Sequence, residues 1–309
     1  MSGGISESRT RSGFVALAGR PNVGKSTLVN SIVGTKVAAI SDKPQTTRRA
    51  IRGVASGDLD GERWQLVLVD LPGVQRPRDA LTARMQRTVD RELLESDAVL
   101  LVLSAAERIG GGDRFIARTL ASSPVPVIAA LNKVDLLGEA ELAAALDMVG
   151  RLEEDGVEFT EIFPVSARTG AGIGALERSL VSLLPEGPLY YPEEVRTDQT
   201  PEVALAELVR EKALARTREE LPHAIEVIIE EIEPRNDLLA VRAVIWVEAD
   251  SQKGIVIGKS GSMIRDIGTA ARLEMERILQ RKVFLELTVK VRKRWRRDDA
   301  LLDRLGIEP

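Results

Sequence analysis

Gly19-Arg-Pro-Asn-Val-Gly-Lys-Ser-Thr27 is the stretch that decides the fold. It spells Gly, four free positions, Gly-Lys, then Ser, which is the phosphate-loop pattern. Gly19 and Gly24 let the backbone turn tightly and bring N–H groups from Asn22 and Val23 through Gly24 to Thr27 close to a polyphosphate. A helix starting near Lys25 would aim its positive end at the same anion. Lys25 adds a mobile charge for the β- and γ-phosphates, and the Ser26 hydroxyl can hold Mg²⁺.

The flanks agree with a strand–loop–helix unit. Phe14–Ala18 is a short apolar run of strand type, and Leu28–Val33 reads as a helix. Before them, Met1–Ser12 is polar and reads as a mobile tail rather than a secretory signal. After them, Ile40–Ala50 is a polar loop some twenty residues past Lys25, where a nucleotide-sensing switch would sit. A Thr hydroxyl there can complete a Mg²⁺ shell; Thr47 is preferred to Thr46. Ile51–Ala55 and Trp64–Val69 read as strands joined by Gly57–Gly61. The second ends in Asp70-Leu-Pro-Gly73, where Asp70 can hold a Mg²⁺-bound water and the Gly73 N–H can face a γ-phosphate. Loss of that phosphate would be felt by Val74–Asp79.

Farther on, Ala98–Leu103 and Val125–Leu131 are continuous apolar runs, hence buried parallel strands. The latter leads into Asn132-Lys-Val-Asp135. The Asp135 carboxylate can accept from the N1–H and exocyclic amine of guanine, a pair adenine does not offer. Asn132 would tie this loop to the phosphate loop, and the Lys133 stem would cover the base. Strand Thr160–Val165 ends in Ser166-Ala-Arg168, which places the Ala167 N–H near the guanine O6. Alternating strands and helices with ligand loops at the strands' carboxyl ends predict a doubly wound α/β domain over 13–186.

Leu184–Glu194 holds three Pro and a Gly, so 187–199 reads as a linker. Thr200-Pro-Glu202 has the form of a helix start and opens a second, α+β domain over 200–309. His223 opens a strand to Ile232, and Leu238–Val247 follows. Gly258-Lys-Ser-Gly261 then sits before a helix, with Lys253 and Arg265 nearby and strand Val283–Val291 behind. That matches the KH (type II) RNA-binding module, whose two glycines let backbone approach the phosphates of a single strand. Lys253, Ile257, Gly258, Lys259, Ser260, Gly261 and Arg265 form the candidate RNA surface, with Ile255 and Ile264 beside them. Lys290, Arg292 and Lys293 extend it, in a run to Arg297 with six positive charges in eight residues and one Trp. Such a run implies salt-dependent binding to RNA phosphates, with anionic membrane lipid as the competing partner.

Composition fits this reading. Net charge is −4 over 309 residues, yet Gln252–Pro309 carries 14 Lys plus Arg against 8 Asp plus Glu, or +6. The absence of Cys excludes disulfides and thiolate metal sites and suits the cytoplasm. The four loops, Gly19–Ser26, Asp70–Gly73, Asn132–Asp135 and Ser166–Arg168, resemble the small GTPases of the translation-factor class. Ser41-Asp-Lys-Pro-Gln-Thr-Thr-Arg48 and the GTPase-then-KH order are similar to the Era family of bacterial ribosome-assembly GTPases. The likeness runs from about Ser12 to Leu305, with Leu71 where Thr is common and Arg168 where Lys is common.

The resemblance implies a monomeric GTPase using GTP, GDP and Mg²⁺. Thr47, Asp70 and Gly73 would sit at the reacting phosphate. The implied RNA is the 3′ end of 16S ribosomal RNA, and the implied role is assembly of the 30S subunit. Val74 stands where Ras-like enzymes have the water-orienting Gln, and Asn22 resembles the Asn that helps hold K⁺ in related GTPases. The alternative is a peripheral-membrane signalling GTPase that uses its basic C-terminal region on the inner face of the cell membrane.

Overall fold

The structure is a computed structural model and describes residues 10–41, 43, 45–59, 61–74, 77–217 and 221–308. The tail read in Met1–Ser12 lies outside the described residues as far as residue 9, and Thr10–Ser12 are not tail but strand, paired with Arg63–Gln65. Two compact units emerge. One comprises Met1–Val37, Ala50–Val74 and Val89–Asp198; the other comprises Ala38–Arg49, Gln75–Thr88 and Gln199–Pro309.

In the first unit, six strands lie in the order β2-β3-β1-β4-β5-β6. They are β1 (Thr10–Ala18), β2 (Ile51–Leu59), β3 (Glu62–Asp70), β4 (Ala98–Ser104), β5 (Val127–Asn132) and β6 (Glu161–Pro164). All neighbours run parallel except β2 and β3. β4 and β5 are buried at every position, as strands covered on both faces must be. One apolar cluster packs α1 (Lys25–Val33) and α5 (Ile173–Leu183) on the sheet. Another packs α3 (Gly111–Leu120) and α4 (Glu139–Gly150). α2 (Ala80–Glu95) crosses the division between the units after Thr88.

β2 and β3 are longer than the sequence suggests. Ser56, Gly57, Asp58 and Leu59 pair with Gln65, Trp64, Arg63 and Glu62. Polar residues suffice there because an edge ladder is made by backbone. Gly57 lets the Trp64 indole cross it, since a Cβ would come within 2.6 Å of the ring.

Of the linker read at 187–199, residues 187–198 belong to this unit and are hydrogen-bonded along it. Thr10 and Ser12 hydroxyls donate to the Gly187 and Pro188 carbonyls at 2.6 Å each. The Gln65 amide both donates to and accepts from the Tyr191 backbone, at 2.8 and 2.9 Å. The Val54 N–H donates to the Arg196 carbonyl at 2.8 Å, and the Phe14 and Tyr190 rings lie 4.8 Å apart. Prolines there remove donors, so side chains on β1 and β3 take up the free carbonyls.

In the second unit, β7 (Glu226–Arg235), β8 (Leu238–Val247) and β9 (Lys282–Val291) form a sheet in that order. β7 and β8 are antiparallel; β8 and β9 are parallel. α6 (Pro201–Arg216) begins on the Thr200 cap, whose hydroxyl accepts from the Val203 N–H. α6, α8 (Asp250–Ile257) and α9 (Ser262–Leu279) share one apolar cluster with the sheet. His223 lies in a short helix, α7 (Leu221–Ala224), not at a strand's start. A second cluster joins Leu81 and Met85 to Val244, Trp246, Trp295 and Leu302, the last on α10 (Asp299–Arg304).

Candidate functional sites

The loop between β1 and α1 has the geometry its glycines permit. Gly19 has φ +151° and a Cβ there would come within 2.5 Å of the Val102 carbonyl oxygen. Gly24 has φ +101°, and its Cβ would strike the Asn132 amide. Asn22 also adopts positive φ. Lys25 is buried, and its ammonium donates to the Gly19 carbonyl at 3.0 Å and the Arg20 carbonyl at 3.2 Å. It is thus folded back along the loop that would cradle phosphates. The Ser26 hydroxyl donates to Asp70 Oδ2 at 2.6 Å, where Asp70 ends β3 in full burial. A hydroxyl and a carboxylate side by side are the hard oxygen donors that suit Mg²⁺ and its waters. Gly73 passes so close to Pro21 that a Cβ would lie 2.8 Å from the Pro21 nitrogen. Val74 packs partly buried against two apolar clusters.

Burial pushes the Lys25 ammonium down to about 8, against the opposing pull of Asp70. Polyphosphate would restore its charge. Nucleotide binding at pH 9 is therefore expected to take up close to one proton, and GDP affinity to fall about tenfold per pH unit above pH 8. Calorimetry in buffers of different ionisation enthalpy reads this; a Lys25→Arg protein should show no such uptake, and equal uptake in both would refute it.

The base-side cleft, about 260 Å³, is lined by Gly24, Thr27, Asn132, Lys133, Asp135, Leu136, Ala167 and Arg168. Asn132 ties three segments together. Its amide donates to the Val23 carbonyl at 3.0 Å, and its Oδ1 accepts from the Lys133 and Ala167 N–H groups at 2.8 and 3.0 Å. The Lys133 ammonium donates to the Asn22 carbonyl at 2.7 Å. Asp135 accepts from the Ser166 hydroxyl at 2.5 Å and from the Arg168 guanidinium. The Ser166 hydrogen bond, with Arg168, holds the Asp135 carboxyl below its usual range, so it stays an acceptor. The Arg168 side chain thus reaches the carboxylate itself.

Thr47 is placed differently from the residues above. It belongs to Ala38–Arg49, which is part of the second unit.

In that unit, Gly258 and Gly261 have φ +74° and +76°, and Ser260 between them is also left-handed. A Cβ on Gly258 would come within 2.8 Å of the Met263 nitrogen, whereas one on Gly261 would meet open space. Lys259 and Ser260 are exposed. Arg265, read as an RNA contact, turns back and donates to the Gly261 and Ser260 carbonyls at 3.2 and 2.8 Å. Of the three isoleucines, Ile257 and Ile264 pack against the core and only Ile255 is exposed. The basic run is partly engaged within the unit. Lys290 pairs with Glu230 at 2.9 Å, Arg292 lies over the Trp246 ring, and Arg296 pairs with Glu248 at 2.7 Å. Trp295 is fully buried, with its indole N–H donating to the Ala224 carbonyl at 2.9 Å. It is a core residue.

Comparison with known proteins follows the same division. Residues 14–133 match the family described as 50S ribosome-binding GTPase, and residues 220–296 match the KH domain. GTPase Era of Mycolicibacterium paratuberculosis is 47% identical over 301 residues, covering 96% of this chain and 98% of that protein. The chain belongs to the Era family of GTPases. Era of Mycobacterium tuberculosis is 46% identical over the same shares. An Era variant from Aquifex aeolicus, crystallised with GDP and AlF4⁻, superposes with a TM-score of 0.90 at 37% identity, covering 97% of this chain and all of that one. An Era in complex with MgGDPNP and nucleotides 1506–1542 of 16S ribosomal RNA gives the same TM-score, identity and coverage of both chains. This Era-family chain is therefore a GTPase, with a doubly wound P-loop domain followed by a KH domain.

Two Era-chain features escape a reading of the sequence. Arg20, at a free position of the phosphate-loop pattern, is held by Asp113 at 2.7 Å and Glu107 at 3.1 Å. Buried Arg48 and Arg210 also hold the backbone beside Thr47, with partners too distant in sequence to suggest a pattern.

Proposed function

We propose that this Era-family GTPase binds the 3′ end of 16S ribosomal RNA through its KH domain and acts in 30S subunit assembly and ribosomal RNA maturation. The observation that carries this is the likeness, over 97% of the chain, to the Era solved with MgGDPNP and that RNA. The Gly258–Gly261 loop supports it, because its left-handed glycines expose backbone to a phosphate. Lys253, Lys259, Lys290, Arg292 and Lys293 would supply the screened attraction, and Ile255 the exposed apolar contact.

GTP would lie along Asn22–Thr27, with Lys25 on its phosphates and Asp135 and Ala167 on its base. Ser26 and Thr47 would hold Mg²⁺, with Asp70 on a bound water. The ion supplies charge neutralisation at the phosphates when bound. The Gly73 N–H would face the γ-phosphate, so hydrolysis changes what Thr47 and Gly73 hold.

The test is a titration of 16S 3′-end RNA against GDP- and GTP-analogue-loaded protein. A Gly258→Asp, Gly261→Asp protein is expected to bind at least tenfold more weakly, and GTP-analogue-loaded wild type more tightly than GDP-loaded. Binding that ignores both loop and nucleotide, together with stronger binding to anionic liposomes, would overturn this reading in favour of a membrane partner. No helix among the described residues is long and apolar enough to cross a membrane, so that association would be peripheral.

A further inference from the structure

The second unit contains an ionic cage around residues 45–49. The Arg48 side chain is fully buried. Its guanidinium donates to Glu226 at 2.8 Å and to the carbonyls of Ile225, His223 and Pro222 at 2.7, 3.1 and 3.3 Å. It also lies 5.2 Å from the centroid of the buried Trp295 ring. Arg210 on α6, equally buried, donates to the Gln45 carbonyl at 3.2 Å, to the Thr46 carbonyl, and to Glu207. Arg49 pairs with Glu207 at 3.2 Å and donates to the Leu305 carbonyl at 2.9 Å. Upstream, the Ile40 N–H donates to Glu211 at 3.0 Å.

Thr47 therefore sits between two residues whose positions the RNA-binding unit dictates. The Thr46 carbonyl is gripped from α6, and the Arg48 side chain is plugged between α7, β7 and Trp295. Buried guanidiniums with this many directed partners tolerate few alternative placements, because any slip strands a charge without its acceptors.

We propose that Arg48 and Arg210 are positioning residues for Thr47, and that through them the KH-bearing unit senses whether GTP or GDP is bound. The inference rests on the proposed role of Thr47 as a Mg²⁺ ligand with GTP. GDP makes no demand on Thr47, so the cage holds the segment unopposed. GTP adds a second claim on the same backbone, and the two claims meet at Thr47. The RNA-binding unit then responds through Arg48 and α6, without any requirement for the 187–198 segment, which is hydrogen-bonded to the first unit.

The experiment measures the affinity of 16S 3′-end RNA for full-length protein loaded with GTP analogue and with GDP, and takes their ratio. Arg48→Lys keeps the charge but loses the fork; Arg210→Lys and Glu226→Gln are companions in case one variant misfolds. Both nucleotide states are measured on the same folded protein, so a purely structural loss moves both affinities and leaves the ratio alone. The ratio is expected to fall to within twofold of one in the variants, while GDP affinity stays within twofold of wild type. A wild-type ratio well above one that persists in all three variants overturns the inference. A wild-type ratio of one instead overturns the proposed nucleotide-dependent RNA binding itself.

Discussion

Asp135→Asn is expected to lower GTP and GDP affinity by about three to five orders of magnitude while creating tight binding of xanthosine nucleotides. Guanine presents two donors, N1–H and the 2-amino group, and a carboxylate accepts both. An Asn amide accepts one and opposes the other with its own donor. Xanthine carries a carbonyl in place of the 2-amino group, so it suits the amide. The surroundings should survive the change, because Ser166 can still donate to the Asn oxygen and the Asn132 bridge does not involve residue 135. Arg168 would lose its ion pair, but its own side chain is exposed, so water takes up the released charge. Competition against a fluorescent GDP measures the loss; unchanged guanine preference would show that Asp135 does not read the base.

Glu226→Ala is expected to destabilise the second unit by about 3–5 kcal/mol, because it leaves Arg48 and Arg210 buried beside a missing acceptor. Burial alone would raise the Glu226 carboxyl, but Arg48, Arg49 and Arg210 outweigh it and hold it at about 2 against an ordinary 4.5. A carboxyl depressed by folding contributes stability that is complete above its unfolded value and is lost as pH falls through its folded value. The window is therefore pH 4.5 down to 2, over which roughly 3 kcal/mol should disappear. Glu226→Gln should be less stable at pH 7 and should flatten that decline. Denaturant titrations at pH 7, 4 and 2.5 give the comparison, and parallel pH profiles for wild type and Glu226→Gln would refute the assignment.

The parts legible in sequence are those whose physics is local. A tight loop that must admit a polyphosphate needs Gly19 and Gly24 at a fixed spacing, and the carboxylate proposed to read the base, Asp135, follows close on a strand end. The same holds for Thr200, which caps α6 by contacts within its own turn. What stayed hidden depends on partners far along the chain. Arg48 looks like one charge in a polar loop, and only the fold brings Glu226 to it. Trp295 lies among cations in the sequence, yet it fills a cluster with Trp246 and Leu302. The prolines between 187 and 198 signal an absence of regular structure, which is different from an absence of attachment. Tertiary hydrogen bonds from Thr10, Ser12 and Gln65 leave no trace in the local pattern.

The division of the chain bears on how the protein can be dissected. The backbone passes from one unit to the other after Val37, Arg49, Val74, Thr88 and Asp198. A single cut near residue 199 would free neither unit as a self-sufficient fragment. Residues 200–309 alone would keep Glu207, Glu211 and Glu226 at buried positions while lacking Arg48, Arg49 and the Ile40 N–H that face them. The complementary fragment would carry two solvated arginines made for an interior. Expression of the KH portion by itself should therefore yield a protein softened at α6, and failure of such a fragment to bind RNA would say little about the intact molecule.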